Sequence, residues 1–241
     1  MGSLARGGFS EVASDVDIGI VLGGDLKESD RFDIDHVQST SVEKHPAVIN
    51  AVSIFWGSTD SINGAVDGGR YPPFDRLDLI DHALLLSGVD RRQELLTPTQ
   101  EELAIDSAAF ALDYLGSDES VNEFLNCEHI SNQGAVHVTK TILFPARFIF
   151  LERTGEIAGN DVSHQYYVDN FSGPDADLVR HAYQWRLNSL PQDLGAVTGL
   201  LNEGLIELYH RFIDIYAERM NSYGQHALEF RLRKWKQKLT K

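Results

Sequence analysis

The sequence contains little cysteine and no long apolar run, and each absence narrows what the protein can be. Cys127 is its one cysteine. A chain with a single cysteine cannot form an internal disulfide or a metal site built from several cysteines. No stretch approaches the roughly 20 consecutive apolar residues of a membrane helix. Met1 precedes glycine, serine and arginine rather than the apolar core of a signal peptide. We therefore expect a cytoplasmic protein with no membrane partner, in which Cys127 is a small buried hydrophobic residue.

Positive charge is also scarce. The 241 residues include 21 Lys and Arg against 36 Asp and Glu, which gives a formal net charge of −15. Nucleic-acid affinity depends mainly on basic side chains that displace counterions from phosphates, so a nucleic-acid partner is not expected. An acidic cleft would instead attract a cationic small molecule, although acidity is more often only a feature of solubility. The nine histidines include no closely spaced ligand pair, which argues against zinc.

The pattern of apolar residues divides the chain into two regions. Residues 15–24 and 48–56 are rich in apolar and β-branched residues and end at glycine, which predicts two strands. From about residue 97 the apolar period becomes helical. The predicted helices are 31–42, 75–87, a helix between Thr97 and Gly116, 118–126, 133–153, 160–170, 174–189, 192–221 and a basic tail from 230. The sequence thus predicts an α+β protein, with a small unit of strands and helices over residues 1–96 followed by an all-α helical bundle domain over 97–241.

Pro145 is the main irregularity of the helical region. It lies inside the segment VHVTKTILFPARFIFLERTG, and proline removes a backbone donor and crowds the preceding turn. We expect it to kink or split the helix predicted over 133–153.

The first seventeen residues hold the densest set of candidate site residues. Asp15 and Asp17 lie two apart at the start of a predicted strand, so both carboxylates project from one face. Mg²⁺ prefers a few carboxylate oxygens completed by the phosphates of a nucleotide. Upstream, Gly2 and Ser3 lead into a stretch that could form a short helix, whose backbone N–H groups could approach phosphate oxygens, as could Arg6. Taken singly, each of these pieces is most often a turn cap, a solvated loop or a disordered end.

As one string, GSLARG followed by SDVDIGIVL resembles the signature of the DNA polymerase β-like nucleotidyltransferase superfamily. That signature is a Gly-Ser pair, about ten to thirteen residues, and an Asp-x-Asp motif that enters a strand. The residues that carry the resemblance are Gly2, Ser3, Asp15 and Asp17, with Arg6 and Gly7 also matching. Three later segments, VSIFWGSTDSI, GGRYP and ALLLSGVDRRQELLTP, together with TGEIAGNDV at 154–162, look like the streptomycin/spectinomycin adenylyltransferases that modify aminoglycosides.

The resemblance implies a fold and a reaction. A mixed-sheet nucleotidyltransferase domain over residues 1–96 would carry the metal site, and the helical bundle would close a cleft over it. The enzyme would transfer a nucleoside monophosphate, AMP from Mg²⁺-bound ATP, to a hydroxyl group of a small acceptor. One candidate acceptor is a cationic aminoglycoside. Asp15 and Asp17 would be catalytic metal ligands. The nucleotide-binding residues would be Gly2, Ser3 and Arg6. Asp161 would contact the acceptor, although the alternative that Asn160 or Asp161 simply caps a helix is the more ordinary one.

The sequence departs from the family at the third carboxylate, which takes the proton of the acceptor and lies on the strand beside the Asp-x-Asp strand. Neither face of VINAVSIFW contains an acid, and Ala51, beside Asn50, aligns with the acidic position. Three interpretations stay open: another acid is the base, no dedicated base is needed, or the protein binds a nucleotide without transferring it. The candidate acids are Asp33, Asp35, Asp60, Asp67, Asp78 and Asp81, of which Asp60 follows the strand most closely.

Two other functions stay open. The first is a nucleotide-binding protein with a regulatory role, in which the fold persists and the chemistry is weakened or lost. The second is modification of a protein or a tRNA end, of which RNA is the less favoured because of the negative net charge.

The resemblance also affects how the N terminus is interpreted. In the family a helix and an apolar strand precede the Gly-Ser pair, whereas here only Met1 does. Gly2 and Ser3 would then lie on a fraying end. We expect either that the recorded start lies downstream of the true one, or that the protein has lost its first strand and much of its activity.

Overall fold

The computed structural model describes residues 1–44 and 52–240, and the chain divides into two units. The first unit comprises residues 1–9 and 14–99; the second comprises residues 10–13 and the chain from Gln100 onward. A small two-stranded parallel sheet with helices forms the first unit, and helices form the second. The α+β prediction is confirmed at this level. No helix in the described part of the chain has both the length and the apolar character of a membrane span.

The first unit contains both predicted strands. Its elements are α1 (Gly2–Arg6), β1 (Val16–Leu22), α2 (Glu28–Lys44), β2 (Val52–Ser58), α3 (Thr59–Ile62), α4 (Pro73–His82) and a 3₁₀ turn at Arg92–Glu94. Proline at the start of α4 suits the first turn of a helix, where its missing N–H group costs nothing. The predicted helix over 75–87 ends early, at His82, because the backbone of Ala83 is extended.

The two strands are parallel neighbours. Val16 pairs with Val52 and Asp17 pairs with Ser53, and the register continues along both strands. Antiparallel pairing, which a mixed sheet would require, is limited among the described residues to an isolated bridge between Trp56 and Arg70. The parallel register places the start of β2 directly beside the Asp-x-Asp motif.

Eight helices are described in the second unit. They are α5 (Gln100–Tyr114), α6 (Asp118–Phe124), α7 (Cys127–Asn132), α8 (Ala135–Thr154), α9 (Asn160–Asn170), α10 (Pro174–Asn188), α11 (Leu194–Ser222) and α12 (His226–Lys238). Seven correspond to predicted helices, whereas α7 was not predicted because it is only a turn and a half long. Their apolar faces share one core, in which Tyr209, Phe212 and Tyr216 of α11 are fully buried. Cys127 is buried and forms no disulfide bond with the described residues, as expected.

Pro145 does not split its helix, since α8 runs without interruption from Ala135 to Thr154. A proline at position 145 cannot donate a hydrogen bond to the carbonyl of Thr141, four residues earlier. The hydroxyl of Tyr209, on α11, donates a 2.8 Å hydrogen bond to that carbonyl instead. The buried tyrosine therefore supplies the donor that the proline removes.

Replacing Tyr209 with phenylalanine should lower the free energy of unfolding by about 1–3 kcal/mol, because the buried Thr141 carbonyl loses its donor. In a Pro145→Ala background the same change should cost clearly less, since the alanine restores a backbone N–H group that can bond to Thr141. Urea unfolding of the wild type, the two single variants and the double variant measures the coupling, which we expect to be about 1 kcal/mol or more. Equal costs of Tyr209→Phe in both backgrounds would show that the hydroxyl does not substitute for the missing N–H group.

A buried carboxylate lies at the start of α10. Asp175 is fully buried, and its Oδ2 atom accepts hydrogen bonds of 2.7 Å from the Tyr167 hydroxyl and from Nε of Arg211. The guanidinium group of Arg211 also lies over the Phe171 ring, 4.7 Å from its centroid. Burial, followed by the bond to Asp175, raises the pKa of Tyr167, so this phenol stays protonated and keeps donating. These contacts join α9, α10 and α11.

Candidate active site

The Gly-Ser pair and the Asp-x-Asp motif come together in the first unit. Gly2 begins α1, is buried and has a φ of +70°, a backbone conformation that favours glycine. A Cβ atom at this position would overlap the carboxylate of Asp17. Ser3 lies in the same short helix, and its carbonyl accepts a 3.0 Å hydrogen bond from Gly7 N–H. Contacts within the unit thus hold Gly2, rather than leaving it on a fraying end.

The carboxylate of Asp17 lies in an environment that disfavours its charged form, chiefly because it is largely buried. Burial raises the pKa of Asp17 to about 6, and the nearby charges of Asp15 and Asp78 contribute in the same direction. The amino group of Met1 and the guanidinium group of Arg6 partly oppose this rise. The raised pKa means that ionised Asp17 is held at a cost in free energy when no cation is bound.

Asp78 of α4 connects α1 to this cluster. Its Oδ2 atom accepts a 2.5 Å hydrogen bond from Gly2 N–H, and its Oδ1 atom accepts a 2.5 Å bond from the guanidinium group of Arg6. The residue is 1% exposed. Asp78 was one of six acids considered as a base, and it is the member of that set whose charge acts on Asp17. Its burial and its engaged oxygens fit a structural contact better than proton transfer from a bound acceptor.

Ser53 lies on β2, directly beside the Asp-x-Asp motif of the neighbouring strand. It pairs in register with Asp17, and its hydroxyl donates a 3.4 Å hydrogen bond to Oδ2 of Asp15. Ala51, which aligns with the third carboxylate of the nucleotidyltransferase family, and its neighbour Asn50 lie outside the described residues. The period-two pattern of the strand placed Ser53 on the same face as Ala51, but only the register shows that this hydroxyl reaches Asp15.

Tyr71 is a neighbour that sequence reasoning missed. Its hydroxyl lies so close to Gly19 of β1 that a Cβ atom there would overlap it, and it is 3.5 Å from the sulfur of Met1. Burial raises the pKa of Tyr71, and the charges of Asp75 and Asp78 add to this effect. The phenol is therefore a neutral donor across the physiological pH range. Its one sequence signal was its place in the GGRYP segment, to which no role was assigned.

The donor set fits a divalent cation completed by a nucleotide better than a cation held by the protein alone. Asp15 and Asp17 provide hard oxygen atoms, and their repulsion would be relieved by a bound cation. Within residues 1–44 and 52–240, no group of three or more His, Cys, Asp or Glu side chains is placed to hold a metal ion. Mg²⁺ commonly binds through one or two carboxylates together with phosphates and water.

Asp161 belongs to the second unit, in the first turn of α9. The helix is capped by Gly159 without a side-chain hydrogen bond, so the prediction that Asn160 or Asp161 caps it is wrong. One carboxylate oxygen of Asp161, Oδ1, is buried and has no hydrogen-bond partner among the described residues. Burial and then the charge of Asp161 raise the pKa of Tyr183. Asp161 is thus a half-buried acid with unused hydrogen-bonding capacity at one buried oxygen atom.

No protein-family model and no curated protein matches this chain. Three features of the first unit therefore bear on function. They are the contact between Gly2 and Asp17, the electrostatics of Asp15 and Asp17, and the resemblance of the motif to the nucleotidyltransferase signature.

Proposed function

We propose that this protein is a nucleotidyltransferase that moves a nucleoside monophosphate, AMP from Mg²⁺-ATP, to a hydroxyl group of a small acceptor. The observation that supports this best is the packing of Gly2 against the Asp17 carboxylate, where a Cβ atom would not fit. This contact brings the start of α1, which can approach phosphates, next to a pair of carboxylates that can bind a cation. Two motif halves that are separate in the sequence thereby lie in contact, which supports a shared site.

The residues have distinct roles in this proposal. Asp15 and Asp17 hold Mg²⁺ against the nucleotide. Ser3 places a backbone N–H group and a hydroxyl near the phosphates. Gly2, whose own N–H group donates to Asp78, lets this turn pack closely on Asp17. When bound, the cation would neutralise charge on the α-phosphate and on the departing pyrophosphate. Phosphoryl-type transfer depends chiefly on such positioning and charge stabilisation. Asp78, the candidate acid whose charge acts on Asp17, uses both carboxylate oxygens to accept hydrogen bonds from Gly2 and Arg6 and is not assigned as the base.

The second candidate function is nucleotide binding without efficient transfer, in a regulatory role. The observation that favours it is Ser53, an uncharged residue beside Asp17 on the neighbouring strand. A serine hydroxyl cannot accept a proton as a carboxylate does, and general-base help commonly contributes about 10²–10⁴-fold to a rate. Turnover would then be slow even with the nucleotide correctly bound.

The acceptor is the least constrained part of the proposal. A cationic acceptor such as an aminoglycoside suits the net charge of −15. Asp161 is half-buried in the first turn of α9, and its carboxylate is the acid to which the motif resemblance assigns an amino group of the acceptor. Loss of acceptor affinity in Asp161→Asn, with nucleotide affinity unchanged, would support this assignment.

Thermal unfolding with ATP, with and without Mg²⁺, tests the nucleotide part of the proposal. A ligand at 100 times its Kd stabilises a protein by about 2.7 kcal/mol, which for a chain of this size raises Tm by roughly 5–10 °C. We expect that rise with Mg²⁺-ATP and not with ATP alone, and we expect Asp15→Asn to remove it. Pyrophosphate release with a panel of hydroxylated acceptors then separates transfer from binding.

The combined outcomes separate the two candidate functions, nucleotidyl transfer and nucleotide binding without transfer. Metal-dependent stabilisation with pyrophosphate release supports the transferase, and metal-dependent stabilisation without release supports the nucleotide-binding alternative. No stabilisation by any nucleoside triphosphate with Mg²⁺ or Mn²⁺ would contradict both. Asp25→Asn, at an exposed bend of the same unit and outside the set of candidate bases, is the control and should behave as the wild type.

A further inference from the structure

Arg6 is almost fully enclosed in an ion pair. Its side chain is 6% exposed and that of Asp78 is 2% exposed, and the two groups approach to 2.5 Å. The guanidinium carbon also lies 5.7 Å from the centroid of the Phe74 ring. The Nε atom of Arg6 is buried and has no hydrogen-bond partner among the described residues. An arginine that reaches a nucleotide from solvent would need an accessible guanidinium face, which this side chain does not offer.

The partner of Arg6 also holds the backbone of α1. Asp78 uses one oxygen atom for Arg6 and the other for Gly2 N–H, so a single buried carboxylate fixes both ends of the helix. This matters because α1 spans only five residues and has no side-chain N-cap bond or acid in its first turn. Isolated helices of this length are not stable in water. External contacts must therefore hold Gly2 against Asp17.

We infer that Arg6 and Asp78 are a positioning pair, which orients the Gly2–Ser3 turn against Asp17 and makes no direct contact with the nucleotide. The inference depends on the proposed function, since it concerns the turn through which that function would bind phosphates. It assigns Arg6 a role different from the phosphate contact that the motif resemblance implies. The two roles predict opposite results when both charges are removed together.

A double variant separates the two roles. Arg6→Gln alone leaves the Asp78 charge buried and unpaired, and Asp78→Asn alone leaves the Arg6 charge in the same state, which is strongly unfavourable. The double variant Arg6→Gln/Asp78→Asn is neutral and can still form amide hydrogen bonds to Gly2 and across the pair. A positioning pair predicts that the double variant binds better than either single variant. A direct phosphate contact predicts that it binds as weakly as Arg6→Gln, because the guanidinium group is absent from both.

The measurement is isothermal titration of the full chain with ATP in excess Mg²⁺, with circular dichroism to confirm folding. We expect each single variant to bind at least about tenfold more weakly than the wild type, as for loss of a charged hydrogen bond. The double variant should bind within about fivefold of the wild type. Arg31→Gln, at an exposed arginine of the same unit, is the matched control and should leave the affinity unchanged.

The affinity of the double variant tests the positioning role of Arg6 and Asp78 even if a single variant fails to fold. A loss of more than about fivefold in the folded double variant overturns the positioning role while leaving the proposed function in place. A wild type that binds no Mg²⁺-ATP contradicts the proposed function itself, and the inference with it. The wild-type titration and the double variant thus report the two failures separately.

Discussion

Replacing Asp17 with asparagine should stabilise the metal-free protein at neutral pH and at the same time abolish its stabilisation by Mg²⁺-ATP. The pKa of Asp17 is raised from 3.8 to about 6, first by burial and then by Asp15 and Asp78. An ionised carboxylate in this position therefore costs free energy that a neutral amide does not. Allowing for partial exposure, which weakens the effect, we expect a gain of about 1–2 kcal/mol in the free energy of unfolding at neutral pH.

The pH dependence of this gain follows from the direction of the shift. Below the unfolded pKa, near 3.8, both states of the wild type carry the proton and Asp17 imposes no penalty. Between there and about pH 6 the folded state keeps a proton that the unfolded state releases, so wild-type stability falls as the pH rises. Above the folded pKa the penalty is complete. Asp17→Asn should thus match the wild type below about pH 3.8 and exceed it most above about pH 6.

Denaturant unfolding of both proteins in EDTA at several pH values checks this expectation. Asp25→Asn is an exposed control that should change stability by less than about 0.5 kcal/mol. Adding Mg²⁺-ATP should stabilise the wild type and leave Asp17→Asn unaffected. A less stable Asp17→Asn protein in EDTA at neutral pH would contradict the electrostatic account. A variant that still responds to Mg²⁺-ATP would contradict the role of Asp17 as a metal ligand.

Replacing Asp175 with alanine should destabilise the second unit by about 2–4 kcal/mol, a loss typical of breaking a buried, hydrogen-bonded pair. The change leaves the buried Tyr167 hydroxyl without its acceptor and removes the carboxylate that pairs with Arg211. Losing one member of such a pair is costly because the remaining group stays desolvated. The side chain of Arg211 is 29% exposed and can be partly rehydrated, so we expect less than the cost of a fully enclosed pair. Urea unfolding monitored by circular dichroism measures the loss.

Asp177→Ala is the matched control for this prediction. Asp177 lies in the same first turn of α10, so both substitutions remove an acid from the same end of the helix. It is exposed, however, and pairs with Arg180 at the surface. Surface ion pairs contribute about 0–1 kcal/mol. Similar losses in the two variants would show that helix electrostatics, rather than the buried network, dominates at Asp175.

Elements with a long, regular apolar pattern were predictable from the sequence. The two strands and seven of the eight helices described in the second unit correspond to segments of period two or of helical period. The errors have local physical causes. The predicted helix over 75–87 continued an apolar run that the extended backbone of Ala83 ends, and the six residues of α7 were too few to establish a period.

Pro145 was predicted to kink or split its helix, and the structure excludes the split. Sequence reasoning treats an internal proline as a break because it removes a hydrogen bond to the carbonyl four residues earlier. The hydroxyl that replaces this bond comes from Tyr209, on a helix far along the sequence from the proline. No local pattern reports such a donor, so the continuity of α8 depended on tertiary packing.

The sequence by itself determined which chemical groups are available at the candidate site: two carboxylates on one face of a strand, preceded by a glycine and a serine. Tertiary structure decided their environment. The close packing of Gly2 on Asp17, the enclosure of Arg6 by Asp78 and the place of Ser53 beside Asp17 all depend on segments distant in sequence. The physical reason is that burial and charge proximity set the pKa of Asp17 and the accessibility of Arg6, and both are properties of assembled elements rather than of residue order.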